Sequence, residues 1–222
     1  MQKSIYILFF FLVGFQLFSQ EEINQLDSES RRHGKWAVNF EGTSQLKFEG
    51  IFKHGKEIGK FRFYKKGFDA HPSAILHFKE GVDSVMATYY TQKGEPISTG
   101  TIVEQKREGK WIYFHQASQD TMMIENYKND QLHGLQKTYF KNGELAEQSL
   151  YQDDKKDGES FVYSEEGTLL QHLNFEKGEL NGPVTYYNIK GEKIIEGQYV
   201  QDQKEGTWKY YENKKLTEEK EF

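Results

Sequence analysis

An internal repeat of 24 to 26 residues constrains this chain more than any other feature. The typical copy carries an aromatic or branched residue, an anchor glycine seven residues later, and another aromatic residue five positions beyond the anchor. A unit of this length cannot bury its own apolar face, so it must be stabilised by stacking on its neighbours. The chain is therefore predicted to be a repeat array whose function belongs to a surface. The eight anchors are Gly34, Gly59, Val85, Gly109, Gly134, Gly158, Gly182 and Gly206.

Within each unit the pattern is that of a β-hairpin. Positions two and four after the anchor are mostly apolar, as at Trp111 and Tyr113, and this alternation places them on one face of a strand. A turn follows, often with a glycine nine residues beyond the anchor, as at Gly143. A second strand then returns to the next unit. Eight such units predict about sixteen antiparallel strands in an all-β, elongated, single twisted sheet.

The spacing of strands predicts how the rings pack. Strands lie about 4.8 Å apart, so equivalent residues of successive units lie roughly 10 Å apart, beyond ring contact. Aromatic residues of the returning strands are expected to fill the intervals, and a body about 75 Å long results. Gln136 and Ser160 are weak copies of position two and predict a less well packed middle. The filling residues include Tyr127, Tyr151, Phe175 and Tyr199.

A second column of rings provides the candidate contact surface. Position five after the anchor is aromatic in seven of eight units, the first unit having Asn39. A single-layer sheet has two faces, so this column is expected to stay partly exposed, and tyrosine is a favoured interface residue. The tryptophans at position two are interpreted as packing residues. The candidate contact residues are Tyr64, Tyr90, Phe114, Tyr139, Tyr163, Tyr187 and Tyr211.

The first residues have the pattern of an export signal. Lys3 precedes an apolar run from Ile5 to Phe15, which is too short for a membrane-spanning helix. Residues 1–20 are therefore predicted to be a signal peptide cleaved near Gln20, and the protein to be periplasmic or secreted. Residues 21–32 are polar and outside the period, so a flexible lead-in is expected before a repeat domain at 33–222. With no cysteine, the chain has neither a lipoprotein anchor nor disulfides.

The charge balance disfavours polyanionic partners. Lys3 is the only charged residue among the first 20, so 28 of the 29 basic side chains remain against 34 acidic ones, a net charge of about −6. Nucleic acid is therefore not expected as a partner, and anionic membrane lipid is disfavoured. Charge along the last strand, from Lys214 to Glu221, discourages end-to-end pairing between two copies of the chain. A side-by-side homodimer is compatible with this pattern.

The units resemble the MORN (membrane occupation and recognition nexus) repeats, and more closely their bacterial variant form. The likeness is carried by the stretch from Phe175 to Gly182, followed by Tyr186, Tyr187 and Gly191, and by its next copy from Tyr199 to Tyr211. It covers almost everything from residue 33 to 222. The resemblance implies an extended antiparallel sheet used for scaffolding, self-association or lipid contact, and some bacterial variants are similar to antitoxins.

Three places depart from the repeat. Val85 replaces an anchor glycine, the segment from Phe68 to Ser73 has extra residues, and the segment from His115 to Thr121 lacks the turn glycine. Insertions in repeat proteins map to loops, so a binding loop at the third or fourth unit is one interpretation. The other interpretation is sequence drift that the fold tolerates.

Motifs for catalysis, cofactors or metals are weak. Residues 50–56 begin like a phosphate-binding loop, but Glu57 stands where serine or threonine should be, and a hairpin is predicted there. No histidine pair has the spacing of a zinc-hydrolase helix, and His33 is interpreted as turn decoration. His71 and His77 flank the irregular unit and are the pair to test for metal. We expect no enzyme activity, no cofactor and no metal.

These observations favour a non-catalytic exported scaffold that binds a protein or cell-envelope component through its sheet face. A membrane-surface protein and an antitoxin-like protein are the alternatives that the resemblance adds.

Overall fold

The computed structural model describes residues 22–68 and 70–222, so the predicted signal peptide lies outside the described residues. Nineteen strands and no helix occur in this part. The strands are β1 (Gln25–Leu26), β2 (Arg32–Asn39), β3 (Leu46–Lys53), β4 (Lys56–Phe63), β5 (Ala74–Phe78), β6 (Ser84–Tyr90), β7 (Pro96–Val103), β8 (Lys106–Phe114), β9 (Thr121–Lys128), β10 (Gln131–Leu132), β11 (Gly134–Tyr139), β12 (Leu145–Gln152), β13 (Lys155–Tyr163), β14 (Leu169–Glu176), β15 (Glu179–Leu180), β16 (Gly182–Tyr187), β17 (Lys193–Val200), β18 (Gln203–Glu212) and β19 (Lys215–Glu221).

All described strands belong to one antiparallel sheet in which each strand pairs with its neighbours in sequence. β10 and β11 both pair with β9, and β15 and β16 both pair with β14, so each couple is one strand interrupted by a single residue. Counted this way, and leaving β1 aside, the described part contains eight hairpins made of sixteen strands. The predicted all-β, elongated hairpin array is confirmed.

The lead-in is partly built into the sheet. Gln25 and Leu26 form β1 and pair with His33 and Arg32 of β2. Asn24 extends this edge with its side chain, because its amide both accepts the Ala37 N–H at 2.9 Å and donates to the Ala37 carbonyl at 3.0 Å. This part of the lead-in, expected to be flexible, therefore covers the free edge of β2.

Position two forms the most buried column of the molecule, on a surface that we call the inner face. Phe61, Ala87, Trp111, Val184 and Trp208 are each at most 2 % exposed. Rings of the returning strands stand between them, as the strand spacing predicts. Edge-to-face contacts at centroid distances of 5.1 to 6.4 Å link Phe52 with Phe61, Phe61 with Phe78, Trp111 with Tyr127, and Tyr199 with Trp208.

The large rings lie over glycines of the preceding returning strand. A Cβ atom on Gly50, Gly100 or Gly197 would lie 2.3 to 2.5 Å from the ring of Phe61, Trp111 or Trp208. None of these three glycines has a positive φ. Glycine is present there because the ring occupies the space of a side chain, which is a close approach that only this residue allows.

The middle of the inner face, where Ser160 stands at position two, is polar. Ser149 and Ser160 are both 1 % exposed and their hydroxyl groups lie 2.7 Å apart. Glu125, also buried, accepts hydrogen bonds from Gln136 at 3.0 Å and from the Tyr127 hydroxyl. The buried side chains of Ser149, Ser160 and Glu125 therefore each have a partner, which offsets the cost of their desolvation.

The anchor glycines have a conformational role, and this role also explains why Val85 can replace one of them. All seven have positive φ, from 66° to 111°. In strand pairs such as β3 and β4 the register shifts beside the anchor, so the glycine occupies a bulge. β5 and β6 pair without a shift through Val85, and five residues connect them. Because no bulge forms there, an L-residue is accepted at the anchor.

Candidate binding surface

The position-five column lies on the face opposite the inner face, which we call the outer face. Position five is an odd number of residues from positions two and four, so its side chain points to the other side of the strand. All seven predicted residues are half-buried, and Asn39, which lacks a ring, is exposed. The column consists of Tyr64, Tyr90, Phe114, Tyr139, Tyr163, Tyr187 and Tyr211 and is called the ring column below.

Each ring stands at the end of a strand, beside the first turn of its hairpin. In most repeats the register shifts between positions four and five, as between Tyr186 and Tyr187. The extra residue lies on the returning strand, because Tyr186 pairs with Ile195 and Tyr187 with Lys193. The same irregularity recurs along the sheet. The rings therefore form a line across the strand ends, at the same place in every unit.

Acidic and basic side chains frame the last ring of the column. The Tyr211 hydroxyl donates to Glu196 Oε1, and Lys193 Nζ donates to Glu196 Oε2 at 2.6 Å. Lys193 also lies over the Tyr211 ring, 5.7 Å from its centroid. The hydrogen bond from Lys193, followed by that from Tyr211, lowers the pKa of Glu196 below its usual value. Glu196 in turn raises the pKa of Tyr211, which stays a donor at neutral pH.

The first ring has a related environment. The Tyr64 hydroxyl lies 3.3 Å from Glu49 Oε1, which also accepts from Arg62 at 3.0 Å. Burial and then the negative charge of Glu49 raise the pKa of Tyr64. Both ends of the column therefore present a neutral phenol held by a carboxylate that a basic side chain balances. Such a site offers an apolar ring edge together with hydrogen-bonding groups.

Shallow clefts open between successive turns and use rings of the column as walls. One cleft of about 350 Å³ is lined by Tyr139, Ile124 and Asn142, among others. Another of about 310 Å³ has Tyr211 beside Ile194 and Lys214. Each is large enough for a side chain of a partner and too shallow to enclose a substrate. At Tyr139 and Tyr211 the ring column therefore borders small clefts.

Hydrogen bonds between neighbouring turns hold the turns beside the ring column in place. The Asn142 side chain donates to the Glu165 carbonyl at 3.0 Å, and Gln45 donates to the Lys65 carbonyl at 2.8 Å. Gln92 donates to the Gly67 carbonyl at 2.6 Å, across the irregular segment. Because the turns bind each other, the ring column is presented in a fixed geometry, which lowers the entropic cost of binding.

The irregular third and fourth units keep the column intact. Tyr90 and Phe114 occupy their places, and the turn without a glycine is closed by Ala117, whose φ is +58°. A non-glycine residue in this region is unusual. The insertion before β5 is a connection from residue 64 to 73 between two paired strands.

The other sequence motifs resolve into hairpins. Within residues 50–56, Gly50 to Lys53 belong to β3, His54 and Gly55 form the turn, and Lys56 starts β4. No helix follows, so the phosphate-loop context is missing, as predicted. His77 lies in β5 and His71 packs beside Gly94. In the described residues, three side chains that could ligate a metal ion come together elsewhere, at Asp27, His33 and His54. No local sequence motif marks this cluster, because its members are up to 27 residues apart.

Comparisons with known proteins leave the chain without an assigned family. No protein-family model matches it. No curated protein matches it either. Among the described residues there is no helix of the length and apolar character that would let it cross a membrane.

Proposed function

We propose that this protein is a non-catalytic, exported repeat scaffold that binds a protein or a cell-envelope component along its ring column. The observation that carries the proposal is the recurrence of a half-buried ring at one position in seven consecutive units. Rings with two rotatable bonds give large contact areas at low entropic cost, which is why tyrosine is enriched in binding hot spots.

The geometry supports an extended partner. The rings recur every two strands, roughly 10 Å apart, along the line of strand ends on one side of the sheet. A chain or polymer lying along this line of strand ends would meet one ring per unit, with clefts beside Tyr139 and Tyr211. Several weak contacts in series then give useful affinity, because each later contact forms within an existing complex.

The test compares two triple variants of the mature chain in capture from the envelope fraction of its own cell. The first is Tyr139→Ser, Tyr163→Ser and Tyr187→Ser. The loss of each contact ring should weaken the affinity for the partner about tenfold, so capture should disappear. The control changes exposed apolar residues of the outer face away from the column, Leu135→Ser and Leu150→Ser with Val200→Ser.

Equal capture by both variants would exclude the ring column as the contact surface, provided that both have the unfolding midpoint of the parent chain. A flotation assay with anionic vesicles accompanies the capture. Salt-sensitive flotation of the parent chain would favour a membrane-surface protein instead.

A further inference from the structure

Three side chains near the start of the sheet form a group that we call the histidine cluster: Asp27, His33 and His54. Each offers one ligand atom, and these atoms all lie within 4.8 Å of one another. His54 Nδ1 lies 2.8 Å from Asp27 Oδ2, and the rings of His33 and His54 are 4.9 Å apart at their centroids. The cluster lies at the opposite ends of the strands from the ring column, so it is a separate feature.

The backbone holds all three residues in place. Gln25 of β1 pairs with His33, and the Asp27 N–H donates to the Arg31 carbonyl at 2.8 Å, which sets the bend between β1 and β2. His54 is the first residue of the turn between β3 and β4, with a φ of +48°. The Gly55 N–H in that turn donates to the Arg32 carbonyl at 2.8 Å. The cluster is therefore assembled by main-chain hydrogen bonds and does not depend on its own side-chain contacts.

The donor set suits a transition metal. Two imidazole nitrogens and one carboxylate oxygen match the three-ligand sites of Zn²⁺, whose fourth position takes water. Asp27 Oδ1 accepts the N–H groups of Glu29 at 2.9 Å and Arg31 at 3.0 Å, which orients Oδ2 toward His54. The Asp27 side chain is only 9 % exposed. Its carboxylate is the anionic oxygen donor that such a site requires.

One cation stands beside the cluster. Arg31 Nε donates to Asp27 Oδ2 at 2.9 Å, and its terminal nitrogen lies 3.2 Å from His54 Nδ1. The guanidinium also pairs with Glu29 at 2.9 Å, and both side chains are well exposed. Arg31 can thus move toward Glu29 and leave the cluster. Arg31 and His54 line a cavity of about 550 Å³, which gives an ion a path of entry.

The remaining contact of His33 is weak. Its Nδ1 lies 3.5 Å from the His54 backbone nitrogen, at the limit of a hydrogen bond. Exchanging this contact for a metal bond costs little. We propose that Asp27, His33 and His54 bind a divalent transition-metal ion of the Zn²⁺ type, which joins the lead-in, β2 and the turn between β3 and β4 and so fastens the N-terminal edge of the array.

The test is a calorimetric titration of the mature chain with Zn²⁺ alone. Asp27→Asn, His33→Ala and His54→Asn should each weaken binding by at least about tenfold, since even outer-shell changes commonly do so. Asparagine also tolerates positive φ, so His54→Asn keeps the turn. The control is His133→Ala, because His133 also precedes an anchor glycine and lies 3.9 Å from Asp153. This control should bind Zn²⁺ as the parent chain does.

Arg31→Gln gives a second test in the opposite direction. Removing the competing cation should tighten Zn²⁺ binding, a gain that a folding defect cannot produce. Zn²⁺ should also raise the thermal unfolding midpoint of the parent and of His133→Ala, and raise that of His54→Asn by less at the same Zn²⁺ concentration. The proposal is overturned if the parent chain binds no Zn²⁺, if His133→Ala weakens binding as much as His54→Asn, or if Arg31→Gln leaves the affinity unchanged.

Discussion

Gly197→Ala should destabilise the C-terminal repeats although it adds a single methyl group to a strand. An alanine Cβ there would lie 2.3 Å from Cδ2 of Trp208, whereas ordinary contacts begin at 3.4 Å. The indole would have to move by about 1 Å, and at 1 % exposure it has no free space. Overpacking of this kind costs about 1 to 3 kcal/mol. Where the added Cβ fits, Gly→Ala instead stabilises by about 0.4 to 1 kcal/mol, so the two cases differ in sign.

The assay is urea denaturation followed by tryptophan fluorescence, with Trp208→Val and the double variant to complete the cycle. Trp208→Val alone should also be destabilising, because it empties a buried site. In the double variant the new methyl group no longer meets the ring, so the two losses should fall short of additivity by about 0.5 to 3 kcal/mol. Additive losses, or a Gly197→Ala chain as stable as the parent, would refute the packing argument.

Three further predictions concern the turns, the edge and the ring column. Ala117→Gly should stabilise the array by about 0.5 to 1 kcal/mol, because Ala117 has a φ of +58° that glycine adopts without strain, and thermal denaturation would detect it. Asn24→Ala should remove both hydrogen bonds to Ala37 and speed the amide exchange of β2 with little change in the distant repeats, whereas unchanged exchange would mean that the side chain does not protect this edge. The folded-state pKa of Glu196 is lowered from about 4.5, so its stabilising contribution is present above that pH and is lost as the pH falls; Glu196→Gln should flatten the acid side of the stability profile, and an unaltered profile would contradict the role of Lys193.

The period and the alternation of residues were enough to predict the hairpins and the two columns. Position two is apolar or small and position five is a ring, and each keeps its face because side chains alternate along a strand. The array, its sixteen strands and the partial exposure of Tyr64 to Tyr211 follow from that rule. The rule does not tell which residues of neighbouring strands face each other.

The roles of single residues could be assigned only from the pairing register of neighbouring strands. Gly50, Gly100 and Gly197 are visible in the sequence as glycines of returning strands, but nothing there shows that each lies under a ring of the following strand. Val85 looked like an irregularity, and the pairing of β5 with β6 shows that its unit has no bulge to accommodate.

The sequence by itself determined the number of units, their strand character and the face on which each repeated residue lies, because these depend on periodicity along one chain. Only the tertiary structure decided which side chains meet between strands, since bulges and turns shift the pairing by one or two residues at each unit. Such shifts place Tyr211 beside Glu196, and the folding back of the lead-in places Asp27 beside His54. Contacts across separate segments depend on geometry accumulated over the sheet, which no local pattern encodes.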